Sequence, residues 1–324
     1  MNMPEQISFN QIEGVSAGNA QNDMAKTGVT VFVFPEGAVA ACDVSGGGPA
    51  SREVPVVDVE KNDININAIV LGGGSAFGLA ASDGVMKCLE ENSMGYDTHF
   101  AKVPIVVQSD IYDLSYGSAQ IRPDSAMGYE ACKKALEKNS PVSGNIGGGC
   151  GATAGKICGM KRAQKSGIGY AAFKLGELKV GAAVVVNSFG DVYSNSKKIC
   201  GLMNEDRTEY CDFMEQLYKT VSEKYAGTFK NTNTTIGAVF TNGNFSKSDL
   251  KKIAVMTRAA YAKCIIPCGT MGDGDTIYAA SCGTKVPSDV NTAGILATAA
   301  MEAAIADAVY SSRISDEEYL SNIK

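Results

Sequence analysis

Apolar and polar positions follow two rhythms along the chain, and the switches between them outline its elements. Thr30–Phe34 and Ala38–Val44 are nearly unbroken apolar runs, which predict two strands; Pro35-Glu36-Gly37 between them predicts a hairpin turn. "NAIVLGGGSAFGLAASDGVMKCLEEN" predicts a buried strand, a glycine loop and an amphipathic helix capped by Ser75. A second helix is expected over Asp124–Lys138. "KVGAAVVVNSFGDVY" is a β-branched strand that ends in a turn after Asn187 and Ser188. Helices follow at Glu205–Ala226, Ser246–Cys264 (with Ser246 as cap) and Val286–Ser311, interleaved with strands at Thr234–Thr241 and Thr276–Ser281. No repeat of 20–50 residues appears, and no Pro/Ser-rich linker marks a boundary. Strands and helices mixed on this scale imply a layered α/β fold, expected to be a single structural domain over residues 1–324.

Composition narrows the function classes. The 324 residues are 45% hydrophobic and carry a net charge of −6, with scattered basic residues, so the clustered cations of a nucleic-acid binder are missing. The N-terminus "MNMPEQISFN" has neither a basic nor an apolar signal region, and no 18-residue apolar span is read. The ten cysteines form no CxxC pair, and "CIIPC" lacks neighbouring histidines, so no metal is expected. A cytoplasmic location with free thiols follows as the expectation. His99 is the one histidine, with no nucleophile signature beside it, so a Ser-His-Asp device would rest on that single residue.

Two glycine clusters fail the nucleotide fingerprints. "LGGGSAFG" places Phe77 where a third small residue belongs, and "GNIGGGCGATAGK" has Cys150 at the first glycine position of a phosphate loop and Ile157 after Lys156. The glycines Gly147, Gly148 and Gly149 then serve close backbone passage, or present N–H groups to an anion. "MGDGDT" sets Asp273 and Asp275 two residues apart just before a strand, either as a solvated turn or as converging carboxylates.

"NTNTTIGAVF" admits three readings: a turn, a glycosylation sequon at Asn233-Thr234-Thr235, and a self-cleaving bond. The sequon has no use in a cytosolic chain. Cleavage before Thr234 would release an α-amine whose ordinary pKa of roughly 7.7–8.0 suits a base for the adjacent hydroxyl. A Thr with its own amine is a complete nucleophile and base without histidine.

The segments "VLGGGSAFGLAASDGVMKCLEE", "VPIVVQSDIYDL", "GNIGGGCGATAGK", "KSGIG", "VGAAVVVNSFGDV", "NTTIGAVF" and "GDGDTIYAAS" occur in this order. Together they resemble the DmpA/BapA-type family of self-processing aminopeptidases, which includes β-aminopeptidases and nylon-oligomer hydrolases. The resemblance spans about Val15 to Val309 and rests on the ordered set, not on any one motif. It implies a four-layer αββα sandwich similar to N-terminal-nucleophile hydrolases, with different connectivity. It also implies an autocleaved chain, with an α fragment 1–233 and a β fragment 234–324 that stay associated, assembled as a homo-oligomer, a tetramer of processed units. No cofactor is implied, and the partners would be small peptide, amide or ester substrates, without nucleic acid or membrane.

By position, the resemblance makes Thr234 the nucleophile, freed from Asn233, and Asp275 the carboxylate that polarises it. Asp273 falls where relatives carry Asp or Ser. Asn187 falls where a side-chain amide holds the oxyanion or positions the substrate amine. Lys165 in "KSGIG" falls on a lysine near the site, and Gly147, Gly148 and Gly149 on its wall. This chain departs from relatives in having "KRAQK" with no Tyr before the lysine, and no His before "GDGD"; Tyr170 is no obvious replacement. Two other functions share such a fold: acyl transfer of the ornithine acetyltransferase type, and non-catalytic small-molecule binding.

Overall fold

The computed structural model describes residues 3–223 and 233–323. Nine strands follow one hydrogen-bonded path: Glu5–Ile7, Ile168–Leu175, Leu178–Asn187, Thr234–Gly243, Thr276–Val286, Thr27–Val44, Ile66–Gly72, Val106–Asp110 and Ala50–Arg52. A tenth, Ser16–Asn22, pairs with Thr27–Val44 beside that path. The Thr27–Val44 strand belongs to two sheets. Its first part pairs with Ser16–Asn22 and Ile66–Gly72, and its last part, Val39–Val44, pairs with Thr276–Val286.

The two sheets face each other across Phe32, Leu71, Val185 and Phe240, with the rings of Phe32 and Phe240 4.9 Å apart. Helices Ala81–Glu91 and Ser125–Glu137 cover one outer face through Val85, Leu89 and Ala131. Helices Lys247–Cys264 and Val290–Tyr310 cover the other through Ile253, Tyr261, Leu296 and Met301. The layers run αββα, as the resemblance implied.

Position in this stack explains the sequence of the Thr234–Gly243 strand. Ile236, Ala238 and Phe240 point into the inter-sheet core while Val239 points to the helices, so both faces are buried and the strand reads as an apolar run. At Gly237 a Cβ would lie 2.8 Å from the Tyr261 hydroxyl, so the helix packs directly on bare backbone there. This strand runs parallel to Thr276–Val286, and the pair sits between Leu178–Asn187 and Thr27–Val44.

Several elements depart from their sequence reading. Pro35-Glu36-Gly37 is no hairpin: the chain continues forward, and the register slips from Val33↔Ala68 to Ala38↔Ile66. The extra residues bend the strand from one sheet into the other. Ser75 is no helix cap; at φ 55° it opens a 3-10 turn over Ser75–Ala80, and the α-helix starts at Ala81. The helix expected from Glu205 begins at Phe213, because Asn204 and Asp206 side chains accept from the Thr208 backbone and hold a turn instead. Residues 224–226 of that expectation lie outside the described residues. The last long helix begins at Val290 with Asp289 as cap, since the preceding strand runs on to Val286. That helix is also an apolar span the sequence reading passed over, long enough and, with a mean hydropathy of 1.4, apolar enough to cross a membrane. Here Leu296, Ala297, Ala300, Met301, Ala304 and Ile305 are buried in the core on one side, while Ile295 and Tyr310 are exposed. By contrast, Ser246 is the cap expected, in a full capping box with Asp249, and the helix expected from Asp124 starts at Ser125 with Asp124 as its cap.

Candidate active site

Three strand ends meet at one corner of the sheet. Thr234 opens its strand, and its register partner is Asn187, the last residue of the neighbouring strand. On the other side Asn233 forms a bridge with Asp273, and Thr276 begins the parallel strand directly after Asp275. Asn187, Asn233, Thr234, Asp273 and Asp275 are all buried. The Asn233 carbonyl oxygen accepts from the Gly274 N–H at 3.0 Å and from the Thr234 hydroxyl at 2.5 Å. Gly274 fits because it lacks a side chain: a Cβ there would lie 3.0 Å from Thr234 Oγ1 and 3.1 Å from the Gly48 carbonyl oxygen.

Asp275 accepts from the backbone N–H of Thr235 at 2.6 Å and of Gly269 at 2.8 Å. Asp273 accepts from Thr270 through its N–H at 2.8 Å and its hydroxyl at 2.6 Å. Burial, together with the neighbouring Asp273, pushes Asp275 up to about 7, and burial raises Asp273 as well. Opposite them stands a lysine that the sequence reading did not select. Lys156 donates to Asn187 Oδ1 at 2.7 Å and to the Asn187 carbonyl at 2.9 Å. Burial lowers its pKa to about 7 against the pull of Asp273, Asp113 and Asp275. The Asn187 amide is fixed from both ends, because Thr153 N–H donates to its Oδ1 at 3.1 Å and its Nδ2 donates to the Tyr112 carbonyl at 3.0 Å.

Lys165 lies one residue removed from Asn187, in register with Thr153. Its ammonium donates to the carbonyls of Gly149 at 3.1 Å and Ala152 at 2.9 Å and to that of Ser166, and it stands 5.7 Å over the Tyr116 ring. The cation in hydrogen-bond contact with Asn187 is Lys156, nine residues earlier. The three glycine amides are also engaged within the protein. Gly147 N–H donates to Gln21, Gly148 N–H to the Thr30 hydroxyl, and Gly149 N–H to the Ile146 carbonyl. These glycines serve packing instead: a Cβ on Gly148 would lie 2.3 Å from the Leu71 carbonyl oxygen. His99 is exposed on a loop, and Tyr170 packs against Phe9 and Phe32 between the sheets. The signal for Lys156 was present in the sequence, as the one charged residue closing the glycine-rich "GGGCGATAGK".

The carboxylate shift has a measurable sign. Between about pH 4, where a free Asp ionises, and about 7, the folded chain keeps a proton on Asp275 that the unfolded chain has released. Stability therefore falls with rising pH across that window, by up to about 1.4 kcal/mol per pH unit from this group. In an uncut Thr234→Ala background, adding Asp275→Asn is expected to flatten the decline of urea midpoints between pH 5 and pH 7. Parallel declines in the two proteins would mean that Asp275 ionises normally.

A buried hydroxyl beside a held carbonyl, two carboxylates and a lysine poised near neutrality make an arrangement for acyl chemistry. Comparison with known proteins agrees. The model of peptidase family S58 matches residues 8–317. An uncharacterized aminopeptidase of Mycobacterium leprae is 36% identical over 79% of this chain and 71% of its own length. A 6-aminohexanoate-oligomer endohydrolase of Kocuria sp. is 34% identical over 82% of this chain and 72% of its own. Among solved structures, a Burkholderia sp. β-aminopeptidase superposes with a TM-score of 0.67 at 17% identity, covering 99% of this chain and 94% of that one. An L-aminopeptidase D-Ala-esterase/amidase from Ochrobactrum anthropi, a variant of the Ntn-hydrolase fold, gives a TM-score of 0.67 at 15% identity, covering 97% and 94%.

Proposed function

The chain belongs to peptidase family S58, an aminopeptidase/amidohydrolase family, and on that premise we propose that it activates itself by cutting the Asn233–Thr234 bond and then hydrolyses small amides through Thr234. The observation that carries this reading is the Asn233 carbonyl, held by the Gly274 N–H beside the Thr234 hydroxyl. In the first step Thr234 Oγ1 attacks the Asn233 carbonyl carbon, and the developing negative charge on oxygen is met by the Gly274 N–H. The C–N bond breaks, the nitrogen takes a proton, and Asn233 is left as an ester on Oγ1. Water hydrolyses that ester and frees an N-terminal threonine.

The same hydroxyl then attacks substrate. Its proton passes to the new α-amine and on to the departing substrate nitrogen, leaving an acyl-enzyme that water resolves. Asn187 stands beside Thr234 as the amide donor for the oxyanion, its orientation fixed by Lys156, Thr153 and Tyr112. The aminopeptidase and 6-aminohexanoate-oligomer endohydrolase relatives support peptides and amino-acid amide oligomers as substrates.

Intact mass of the purified protein tests the first step: two fragments, one beginning at Thr234, are expected. Assays on an amino-acid p-nitroanilide and on acetylornithine plus glutamate separate hydrolysis from acyl transfer; turnover confined to the second overturns the hydrolytic reading. Gly274→Ala pushes a methyl group against Thr234 Oγ1, so cleavage is expected to slow by about a hundredfold, as misplacement of a reacting atom does. Time courses of fragment appearance check this, and an unchanged rate means that the contact does not position the hydroxyl.

A further inference from the structure

Outside this corner, one cavity holds more positive charge than its own acids balance. It has a volume of about 260 Å³ and lies between the Gln164–Lys165 and Lys197–Cys200 strands, the end of the Val290–Tyr310 helix and the Asp316–Ser321 helix. Lys165, Arg207 and Arg313 line it against one carboxylate, Asp316, which already pairs with Arg207 at 2.6 Å.

The Arg207 guanidinium is held in place. Its Nη1 donates to the carbonyls of Lys161 and Ala163, each at 2.8 Å, and the group lies 4.9 Å over the Tyr319 ring. Its Nε is buried with no hydrogen-bond partner, an unmet donor that costs free energy as it stands. Arg313 is exposed, is braced 4.7 Å over the Tyr310 ring, and makes no ion pair among the described residues. Ile199, Val309 and Ile314 give the wall an apolar patch beside Gln164, Cys200, Tyr210 and Tyr319.

We propose that this cavity is a binding site for a small organic carboxylate, with its head between Arg313 and Arg207 and its carbon chain against Ile199 and Ile314. Charge sets the sign of the head, since two guanidiniums, Arg207 and Arg313, stand against the one carboxylate of Asp316, while the Lys165 ammonium is turned to the loop carbonyls of Gly149, Ala152 and Ser166. The apolar patch asks for a hydrocarbon body, and the volume falls just below the usual range for ligand pockets, which limits the ligand to a short one. The site is separate from the Thr234 corner and does not rest on the reading given for it. A physical route joins them, however: Lys165 pairs in register with Thr153, whose N–H holds Asn187 Oδ1.

Calorimetric titration of the purified protein with hexanoate tests the proposal, with hexylammonium and inorganic phosphate as probes of opposite charge and of bare charge. Hexanoate is expected to bind, and Arg313→Gln to weaken it about tenfold or more, the loss of one charge-assisted hydrogen bond. Lys263→Gln, which removes a remote surface ion pair, is the control expected to keep hexanoate affinity. Affinity unchanged in Arg313→Gln, or equal affinity for hexylammonium, overturns the site. Phosphate binding as tightly as hexanoate overturns the organic part of the assignment. Because Arg313 is exposed, its replacement leaves the fold intact, so loss of binding is read directly.

Discussion

Thr234→Ala is expected to remain one uncut chain of 33.8 kDa and to lose hydrolysis by up to about a million-fold, the scale seen when a nucleophile is removed from an acyl-transfer site. The size of the effect follows from the double use of one residue. Without Oγ1 nothing attacks the Asn233 carbonyl, so no α-amine is released, and the nucleophile and its base vanish together. Thr234→Ser keeps a hydroxyl at the same atom position and is expected to cut and to turn over substrate. Denaturing gels and intact mass read the first property, and p-nitroanilide release the second. A Thr234→Ala protein that still separates at residue 233 removes the hydroxyl from the mechanism.

Lys156→Met carries the second largest expected loss, about 10²- to 10⁴-fold in both cutting and turnover. On the proposed route there is no free amine at Thr234 before the cut, so the proton leaving Oγ1 needs another acceptor tuned near neutrality. Lys156, brought down to about 7 by burial, is such a group, and it also fixes the Asn187 amide. Lys165→Met is expected to behave differently. It strips donors from the carbonyls of Gly149, Ala152 and Ser166 and so lowers the melting temperature, while turnover per folded molecule falls far less. Stopped-time cleavage assays beside thermal melts distinguish the two lysines. A Lys156→Met protein that processes at the normal rate leaves Lys156 only a structural part.

This contrast shows where sequence reading reaches and where it stops. Helices with polar caps were legible because Asp124 and Ser246 satisfy backbone N–H groups locally, within three residues of the cap. The Thr234 strand was legible because burial on both faces leaves only apolar letters. Pro35-Glu36-Gly37 misled because its letters serve a bend as well as a reversal, and the choice is made by the Ile66–Gly72 strand, far off in the chain. Thr234 and the two aspartates were candidates on their letters alone, the resemblance chose among their readings and added Asn187, and the structure brings all four to one corner. Lys156, half-buried, and Lys165, buried, are both lysines near glycines, and no local pattern says which of them meets Asn187. Only the folded register decides which ammonium meets Asn187 and which meets the loop carbonyls.

The placement of Thr234–Gly243 and Thr276–Val286 inside their sheet, flanked by Leu178–Asn187 and Thr27–Val44, sets the life history of the molecule. On the proposed self-cleavage, assembly has to come first, since the scissors exist only once distant segments have met. After the proposed cut, a melted copy would become two separate polypeptides, and restoring it would mean slotting a pair of ribbons back between neighbours that meanwhile close on each other or clump. Heat inactivation of a form cut as proposed is therefore expected to be a one-way loss governed by how fast it opens, whereas the uncut Ala variant retains a path home.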